Sequence, residues 1–405
     1  MAQSLTNADS ALKEDYQPVV REQLNNENML LAQVEKNTED IEGRRAVLSV
    51  HLRRSGGVGA RSEGDNLPTA GHQGYAEERI SVKHQYARIE ISGPAIRASK
   101  SDAGSFERLL DSEMRRIKDD ISRDLNRQCY NGLEGTIAQC GTTSAATTVV
   151  LASTTTDVQM RQFHVGMLVD IGTLADPDAD VAGAEITAVD RTNKTITIGS
   201  AITTNSSDYV TRAGSKTGSG TTKEIIGLQA IIDSSGSLFN IDPSSYPEWA
   251  SVELSNGGTT RAFTDVLLER AVDDVAQETG NVIPNLVITS FGVRRNFAAQ
   301  LKSQRRYEDN VDLVGGFKGT GVNVGNTSLA LIAERDCPEN TAFGVNTQHL
   351  IEFVQADWQW ADDDGAVLSR VSNKDAWEAF LYKDHVLATD RRNAHFKITD
   401  LATTG

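Results

Sequence analysis

The chain has 405 residues, with 40 Lys and Arg against 56 Asp and Glu and a formal net charge of −16. That length supplies core for about two or three domains, and the acidic balance argues against nucleic-acid binding through the overall field. Cys129, Cys140 and Cys337 form no CxxC and no even framework, which fits a reducing compartment; no apolar run approaches the ~18 residues of a membrane helix, and the first thirty residues lack the apolar centre of a signal peptide.

Residues 1–42 are acidic and hold short helical pieces. Leu12, Tyr16, Val19, Val20 and Leu24 share one face, as do Leu30, Leu31 and Val34, while Asn25, Asn26 and Asn28 break the run. So little apolar surface cannot fold alone. The segment reads as an arm lying on something else, with a disordered tail as the alternative.

Residues 43–100 carry ten Lys and Arg against five Asp and Glu, so they stand at +5 and leave −21 for the rest. Their centre, 55–74, is rich in Gly and polar residues and reads as a flexible tip. Two extended arms flank it. In 79–92, Ile80, Val82, His84 and Tyr86 alternate on one side, then Ile89 and Ile91 continue one residue out of phase. That predicts a bulge or sharp twist near 86–88. An isolated hairpin is marginal in water, so the projection is expected to lean on another subunit. The alternative is a large surface loop of a monomer.

Residues 105–131 predict one long amphipathic helix. Phe106, Leu109, Leu110, Met114, Ile117, Ile121 and Leu125 recur at helical spacing. Ser105 can cap its start, Glu107 suits the first turn, and Gly132 follows as a C′ residue. The other face carries Arg108, Asp111, Arg115, Asp119 and Arg123 in i, i+4 pairs. Such a helix, roughly 40 Å long, needs a sheet or neighbouring subunits over its stripe. A long core helix of an enzyme is the alternative.

Residues 142–222 turn to Thr, Val, Ala and Gly, with alternating runs at 147–151, 167–171, 184–189 and 194–198 and a turn at 190–194. They predict a small antiparallel barrel or sandwich, inserted between Gly-rich borders at 132–141 and 214–222. Asp176, Asp178 and Asp180 have the spacing of a calcium loop, but Val181 and Thr187 stand where Gly and Glu are required. A solvated acidic loop is the better reading.

From 222 the chain becomes mixed. Residues 260–278 predict a helix through Phe263, Val266, Leu267, Ala271 and Val275, ending at Gly280. A strand at 285–289, a helix at 291–301 and strands at 329–333 and 350–355 follow. The glycines of 315–325 do not fit GxGxxG, so no dinucleotide site is expected. Asp364 and Gly365 predict a hairpin turn joining 358–360 to 367–371, and 379–387 and 394–401 close the sheet.

No HExxH, GxSxG, phosphate loop or paired Cys/His cluster is present. His349, His385 and His395 fall on predicted strands and read as structural. No catalytic, cofactor or metal residue is expected, and the chain is not expected to be an enzyme. A β-rich carbohydrate-active enzyme or adhesin is the alternative from another class, and its mark would be a cleft with paired carboxylates.

The order of parts resembles the Hong Kong 97-type major capsid protein of tailed double-stranded DNA bacteriophages. The residues carrying the resemblance are Lys13-Glu14-Asp15-Tyr16, the tip segments 56–60 and 63–68, Ile91-Ser92-Gly93-Pro94-Ala95-Ile96, Ser245-Tyr246-Pro247-Glu248-Trp249, Asp336-Cys337-Pro338, Asp363-Asp364-Gly365 and Arg391-Arg392-Asn393-Ala394-His395. The match lies in their order and spacing and covers most of the chain outside the insertion.

The resemblance implies an α+β capsid fold. It implies an N-arm at 1–50, an extended loop at 51–98 and a peripheral domain with a spine helix at 99–141. An inserted all-β domain follows at 142–222, an axial domain at 223–345 and closing peripheral and axial strands at 346–405. In some relatives an inserted domain sits on the outer surface.

It further implies a structural subunit of an icosahedral virion capsid, assembled in the host cytoplasm. The partners are copies of itself as hexamers and pentamers, with scaffold, portal and decoration proteins possible. The shell encloses double-stranded DNA without reading its sequence. No cofactor and no membrane are implied. Arg53, Arg54, Arg61 and Arg79 of the basic loop are the expected inter-subunit contacts. An encapsulin-like nanocompartment shell is the alternative within the fold. Some relatives lock the shell by an isopeptide bond from a loop lysine. Here 51–82 contains no lysine and Lys83 lies on the returning strand, so a non-covalent shell is expected.

Overall fold

The computed structural model describes residues 28–39, 41, 43–98, 109–218, 220–303, 310–312, 318–324, 327–362 and 367–403. The expected arm face from Leu12 to Leu24, the helix start at 105–108, glycines 315, 316 and 325, and the turn at Asp364 and Gly365 lie outside them. Contacts divide the described chain into two units. The smaller holds residues 86–123 and 358–382, and the larger holds 28–85, 124–357 and 383–403.

The larger unit begins with a short helix, α1 (Met29–Gln33), buried through Met29, Leu30 and Leu31. The Asn28 side chain caps it by accepting the Leu31 N–H at 3.2 Å. Strand β1 (Glu35–Asn37) follows. Then β2 (Arg45–Arg53) and β3 (Gly74–Ser81) pair as an antiparallel hairpin, with Arg45 opposite Ser81 and His51 opposite Tyr75. Strand β4 (Lys83–Ser92) continues from it.

The one-residue slip lies elsewhere than at 86–88. Glu78 and Ile80 are buried on β3, whereas Gln85, Ala87, Ile89 and Ile91 are buried on β4, so the phase changes at Val82 and Lys83. His84 and Tyr86 therefore face outward. The reason is a change of partner. β3 pairs with β2, while β4 pairs with β19 (Ala376–Thr389), and the chain rotates where it leaves one ladder for the other.

Helix α2 (Gly93–Ala98) leads towards α3 (Leu109–Cys129). α3 stops at Cys129, three residues before Gly132, and Gly132 does not take a left-handed φ, so it is not the C′ residue expected. Met114, Ile117 and Ile121 remain half-buried, while 125–130 are buried throughout. In the smaller unit β18 (Ser369–Arg370) pairs with β19, placing Arg370 opposite Trp377. Arg88 donates to Glu378 at 2.9 Å and Lys374 to Glu90 at 3.3 Å.

Strand β17 (Leu350–Trp360) is unbroken, and the strand order is β1-β17-β19-β18. Residues 358–360 and 369–370 therefore do not form the expected hairpin with each other. The long strand β19 lies between them and takes both ladders.

The inserted region folds together with residues 136–139 before it, as β5 (Thr136–Gln139), β6 (Thr143–Val150), α4 (Asp157–Gln162), β7 (Leu168–Thr173), β8 (Val181–Asp190), β9 (Thr195–Thr204) and β10 (Asp208–Arg212). The barrel starts before the change of composition at 142 because β5 pairs with β10. The sheet order is β5-β10-β7-β8-β9-β6, antiparallel throughout. Its end strands are consecutive in the chain. A Cys140–Leu151 bridge and the Gly141 N–H on the Val150 carbonyl at 2.8 Å draw them together, so the sheet curls into a barrel. Ile137, Val149, Phe163, Val169, Ile171, Ile186, Ile196 and Val210 fill it. Asp190 forms the predicted turn by accepting the N–H groups of Thr192 and Asn193 at 2.9 and 3.0 Å. Asp176, Asp178 and Asp180 are exposed between β7 and β8, and no group of three metal-ligating side chains exists among the described residues.

The remainder holds α5 (Leu228–Ile231), β11 (Val252–Leu254), α6 (Asp265–Thr279), β12 (Leu286–Thr289), α7 (Phe291–Ser303), β13 (Asn310–Asp312), β14 (Lys318–Val324), β15 (Thr327–Ala333), β16 (Ala342–Val345) and β20 (Phe396–Ile398). Seven strands run in the order β11-β20-β16-β12-β15-β14-β13. All four residues of β12 are buried, as its continuous apolar run requires of a central strand. Thr264 caps α6, and Gly280 ends it at φ +70° as predicted. Leu268, Ala271, Val272 and Val275 form the buried stripe, and Val266, placed on that stripe by the sequence reading, is 70 % exposed. At 100° per residue it sits opposite Leu268, not beside it.

Candidate functional site

The hairpin β2–β3 and its tip expose both apolar and cationic side chains. Its root is seated. Leu52 packs with Ile241 and Trp249, and Val50, Ala76 and Tyr246 lean on the same cluster. Trp249 lies in a 3-10 turn opened by Pro247 and is fully buried. The Arg79 N–H donates to the Phe239 carbonyl at 2.9 Å. A second buried group on this inward face is polar. Glu78, opposite Leu48, is 0 % exposed, and neither carboxyl oxygen has a hydrogen-bond partner. Burial pushes its pKa up to about 8, with Asp390 adding repulsion. Asp390 itself accepts from His349 Nδ1 at 3.0 Å. A cavity of about 600 Å³ lined by Val50, His51, Glu248, Trp249, His349 and Asp390 lies at this root. Glu78 and Asp390 do not make a glycosidase pair, because a carboxyl with no exposed surface cannot meet a substrate.

The outward side carries the expected cations. Arg53, Arg54, Arg61 and Arg79 are all exposed. Arg79 pairs with Glu77 on its own strand at 3.0 Å, an exposed pair worth about 0–1 kcal/mol. Arg61 donates to the carbonyls of Ala60 and Asn66 at 2.9 and 3.1 Å, so it closes the tip loop. Among the described residues, Arg53, Arg54 and Arg61 have no ion-pair partner. The structure gathers these three at the outer end and sets Arg79 five residues down the strand, roughly 17 Å away. The sequence reading missed the apolar residues beside them. Val58 and Leu67 at the tip are 87 % and 85 % exposed, and Val47 and Tyr75 stand out on the strands. The available signal was two large apolar residues inside a Gly-rich tip, which have nothing local to bury against.

No protein-family model matches the sequence, and no curated protein matches it. The fold nonetheless matches solved shells from end to end. The capsid asymmetric unit of cyanophage A-1(L) is 13 % identical, covers 98 % of this chain and 99 % of its own, and gives a TM-score of 0.62. The chain has the Hong Kong 97-type fold of phage capsid subunits. The encapsulin complex of Synechococcus elongatus matches over 100 % of this chain and 98 % of its own, at 8 % identity and a TM-score of 0.50. The capsid of a native GTA particle matches over 99 % and 100 %, at 11 % identity and a TM-score of 0.50.

Several other buried ionisable groups of this Hong Kong 97-type fold are braces. Arg127 at the end of α3 donates to Asp124 at 3.0 Å and Glu224 at 2.5 Å, and Arg212 of the barrel reaches Asp124 at 2.9 Å. These guanidinium groups hold Asp124 down at about 2 against its burial. Lys383 and His385 both donate to Glu352, at 2.6 and 2.8 Å. His395 accepts the Asn346 N–H at 3.1 Å and meets Thr389 Oγ1 at 3.0 Å, and burial holds it neutral with a pKa near 3. Arg392 donates to four carbonyls, of Ala230, Ile231, Ser235 and Gly236, at 2.9–3.1 Å. All three cysteines are free and buried, and burial drives Cys129 and Cys140 up to about 12, where the thiols are inert. Lys83 donates to the Thr222 carbonyl at 2.7 Å, and burial lowers its pKa, so it too is committed inside its own subunit.

Proposed function

We propose that this chain is the structural subunit of an icosahedral viral capsid, assembling as hexamers and pentamers into a shell around double-stranded DNA. The observation that carries this reading is the end-to-end match to the cyanophage capsid subunit, over 98 % of one chain and 99 % of the other. In this reading residues 1–50 are the N-arm and 51–98 the extended loop that lies over a neighbour. Residues 99–141 are the peripheral domain with the spine helix, except for β5, which joins the barrel; 142–222 are the inserted domain, 223–345 the axial domain and 346–405 the closing strands. The location is the virion capsid, assembled in the host cytoplasm with scaffold, portal and decoration proteins as further partners.

The mechanism is surface complementarity. The loop offers Arg53, Arg54 and Arg61, which have no ion-pair partner among the described residues, beside Val47, Val58, Leu67 and Tyr75. A segment at +5 meets a neighbour whose residues outside that segment carry −21, which steers association and fixes register. The half-buried Met114, Ile117 and Ile121 of α3 are the face a neighbour covers. The acidic bulk keeps the inner wall from gripping the genome. With no lysine in 51–82 and Lys83 committed, the contacts are non-covalent.

Electron microscopy and sedimentation of the purified chain test this. Closed particles or five- and six-membered rings are expected. A compact monomer under all salt and crowding conditions refutes it. Arg53→Glu, Arg54→Glu and Arg61→Glu together are expected to reduce particle yield with the circular dichroism unchanged. The match to an encapsulin supports a second reading, a nanocompartment shell. Particles made in the native host separate the two, since one holds DNA and the other protein cargo.

A further inference from the structure

Two helices pack on one face of the seven-stranded sheet, and their outward rows carry opposite charge. Both contribute to a single core, α6 through Leu268, Ala271, Val272 and Val275 and α7 through Val293 and Phe297, with the Phe263 and Phe297 rings 5.1 Å apart. On α6 the exposed residues are Val266, Glu269, Arg270, Asp273, Gln277 and Glu278, so three acids stand against one arginine. On α7 the exposed row is Phe291, Arg294, Arg295 and Ala298. The sequence of α6 holds five acids against one arginine, and that of α7 three cations and no acid.

Adjacent helices of opposite charge ordinarily neutralise each other within a subunit. These do not. Among the described residues, Glu269, Asp273 and Glu278 have no ion-pair partner, and neither have Arg294 and Arg295. The ion pair present on α6, Arg270 to Asp274 at 3.6 Å, is internal to it. Each row also opens on a large apolar side chain that the subunit leaves out, Val266 at 70 % and Phe291 at 44 % exposure. The Arg294 guanidinium lies 5.5 Å from the Phe291 ring centre, a cation–π contact that presents the two together. An exposed aromatic ring beside two exposed arginines has the composition of an interface core rather than of a solvated helix.

We propose that the α7 row of one copy docks on the α6 row of the next. Phe291 covers the Val266 turn, and Arg294 and Arg295 meet Glu269 and Asp273. The inference rests on the shell reading. Because the two rows differ, the contact is heterologous, and repeated head to tail it closes rings. It names which helices meet around a ring, separately from the basic loop.

The test uses full-length chains with wild type in parallel. Variant A carries Arg294→Glu and Arg295→Glu, so both its rows are acidic. Variant B carries Glu269→Lys and Asp273→Lys, so both are basic. Each alone is expected to lose roughly tenfold or more in particle yield, since every junction sets like charges together, with circular dichroism unchanged. The chain with all four changes swaps the signs and is expected to regain assembly.

A and B coexpressed are expected to form rings of six and not rings of five. Alternation satisfies every junction of an even ring and leaves one like-charged junction in an odd one. Wild-type yield from A and B alone overturns the proposal, as does a swapped chain no better than A. Failure of the wild type to assemble defeats the shell reading instead, so the two failures are distinguishable.

Discussion

Glu78→Gln is expected to stabilise the subunit, and increasingly so as pH rises. Glutamine keeps the shape and the buried polar atoms of the protonated acid and removes its ionisation. The carboxyl is raised from its ordinary 4.5 to about 8 in the fold. Below pH 4.5 it is protonated both folded and unfolded, and no penalty exists. Between 4.5 and 8 the unfolded chain releases the proton and the folded chain keeps it, so folding binds a proton and stability falls with pH. Above 8 the folded state ionises too, and the loss levels off. At about 1.4 kcal/mol per pH unit the variant gains about 1 kcal/mol over wild type at pH 5, about 3 at pH 7 and about 5 at pH 9. Urea denaturation of unassembled subunit at these three pH values reads the difference directly. An advantage that stays constant from pH 5 to pH 9 would refute a protonated, buried Glu78.

Trp249→Ala removes the large side chain under the hairpin root and is expected to cost about 3–5 kcal/mol, with faster hydrogen exchange at the amides of β2 and β3. Arg392→Met leaves the buried carbonyls of Ala230 and Ile231, and the outer ones of Ser235 and Gly236, without their donor and is expected to cost about 2–4 kcal/mol by urea denaturation, against a small effect for Arg54→Met on the exposed tip. Thr264→Ala removes the side-chain acceptor of the Leu267 N–H and is expected to lower stability by about 1 kcal/mol. Particles boiled in detergent and reductant are expected to run at the 43.8 kDa monomer, and surviving five- or six-fold ladders would contradict a non-covalent shell.

The sequence alone determined the elements whose signal is local. The α3 stripe, the stop of α6 at Gly280, the strands β12 and β15 and the Asp190 turn rest on periodicity and on single residues shaping nearby backbone, whereas the start of α6 at Thr264 rather than at 260 came from the fold. The hairpin arms and the basic, glycine-rich character of the tip were legible for the same reason, since charge and glycine content are read residue by residue. Tertiary structure decided the rest. The phase slip moved to Val82 because the chain changes ladder there, and which ladder a strand joins is not written in its own alternation. Residues 369–370 joined β19 rather than β17 because the long strand β19 lies between them. Glu78 was unreadable as a buried acid because its alternation partners Ile80 and Ala76 mark a face, not what lies at that face from far along the chain, Trp249 and Asp390. Burial of a polar group is a property of the assembled neighbours, and only the folded chain supplies them.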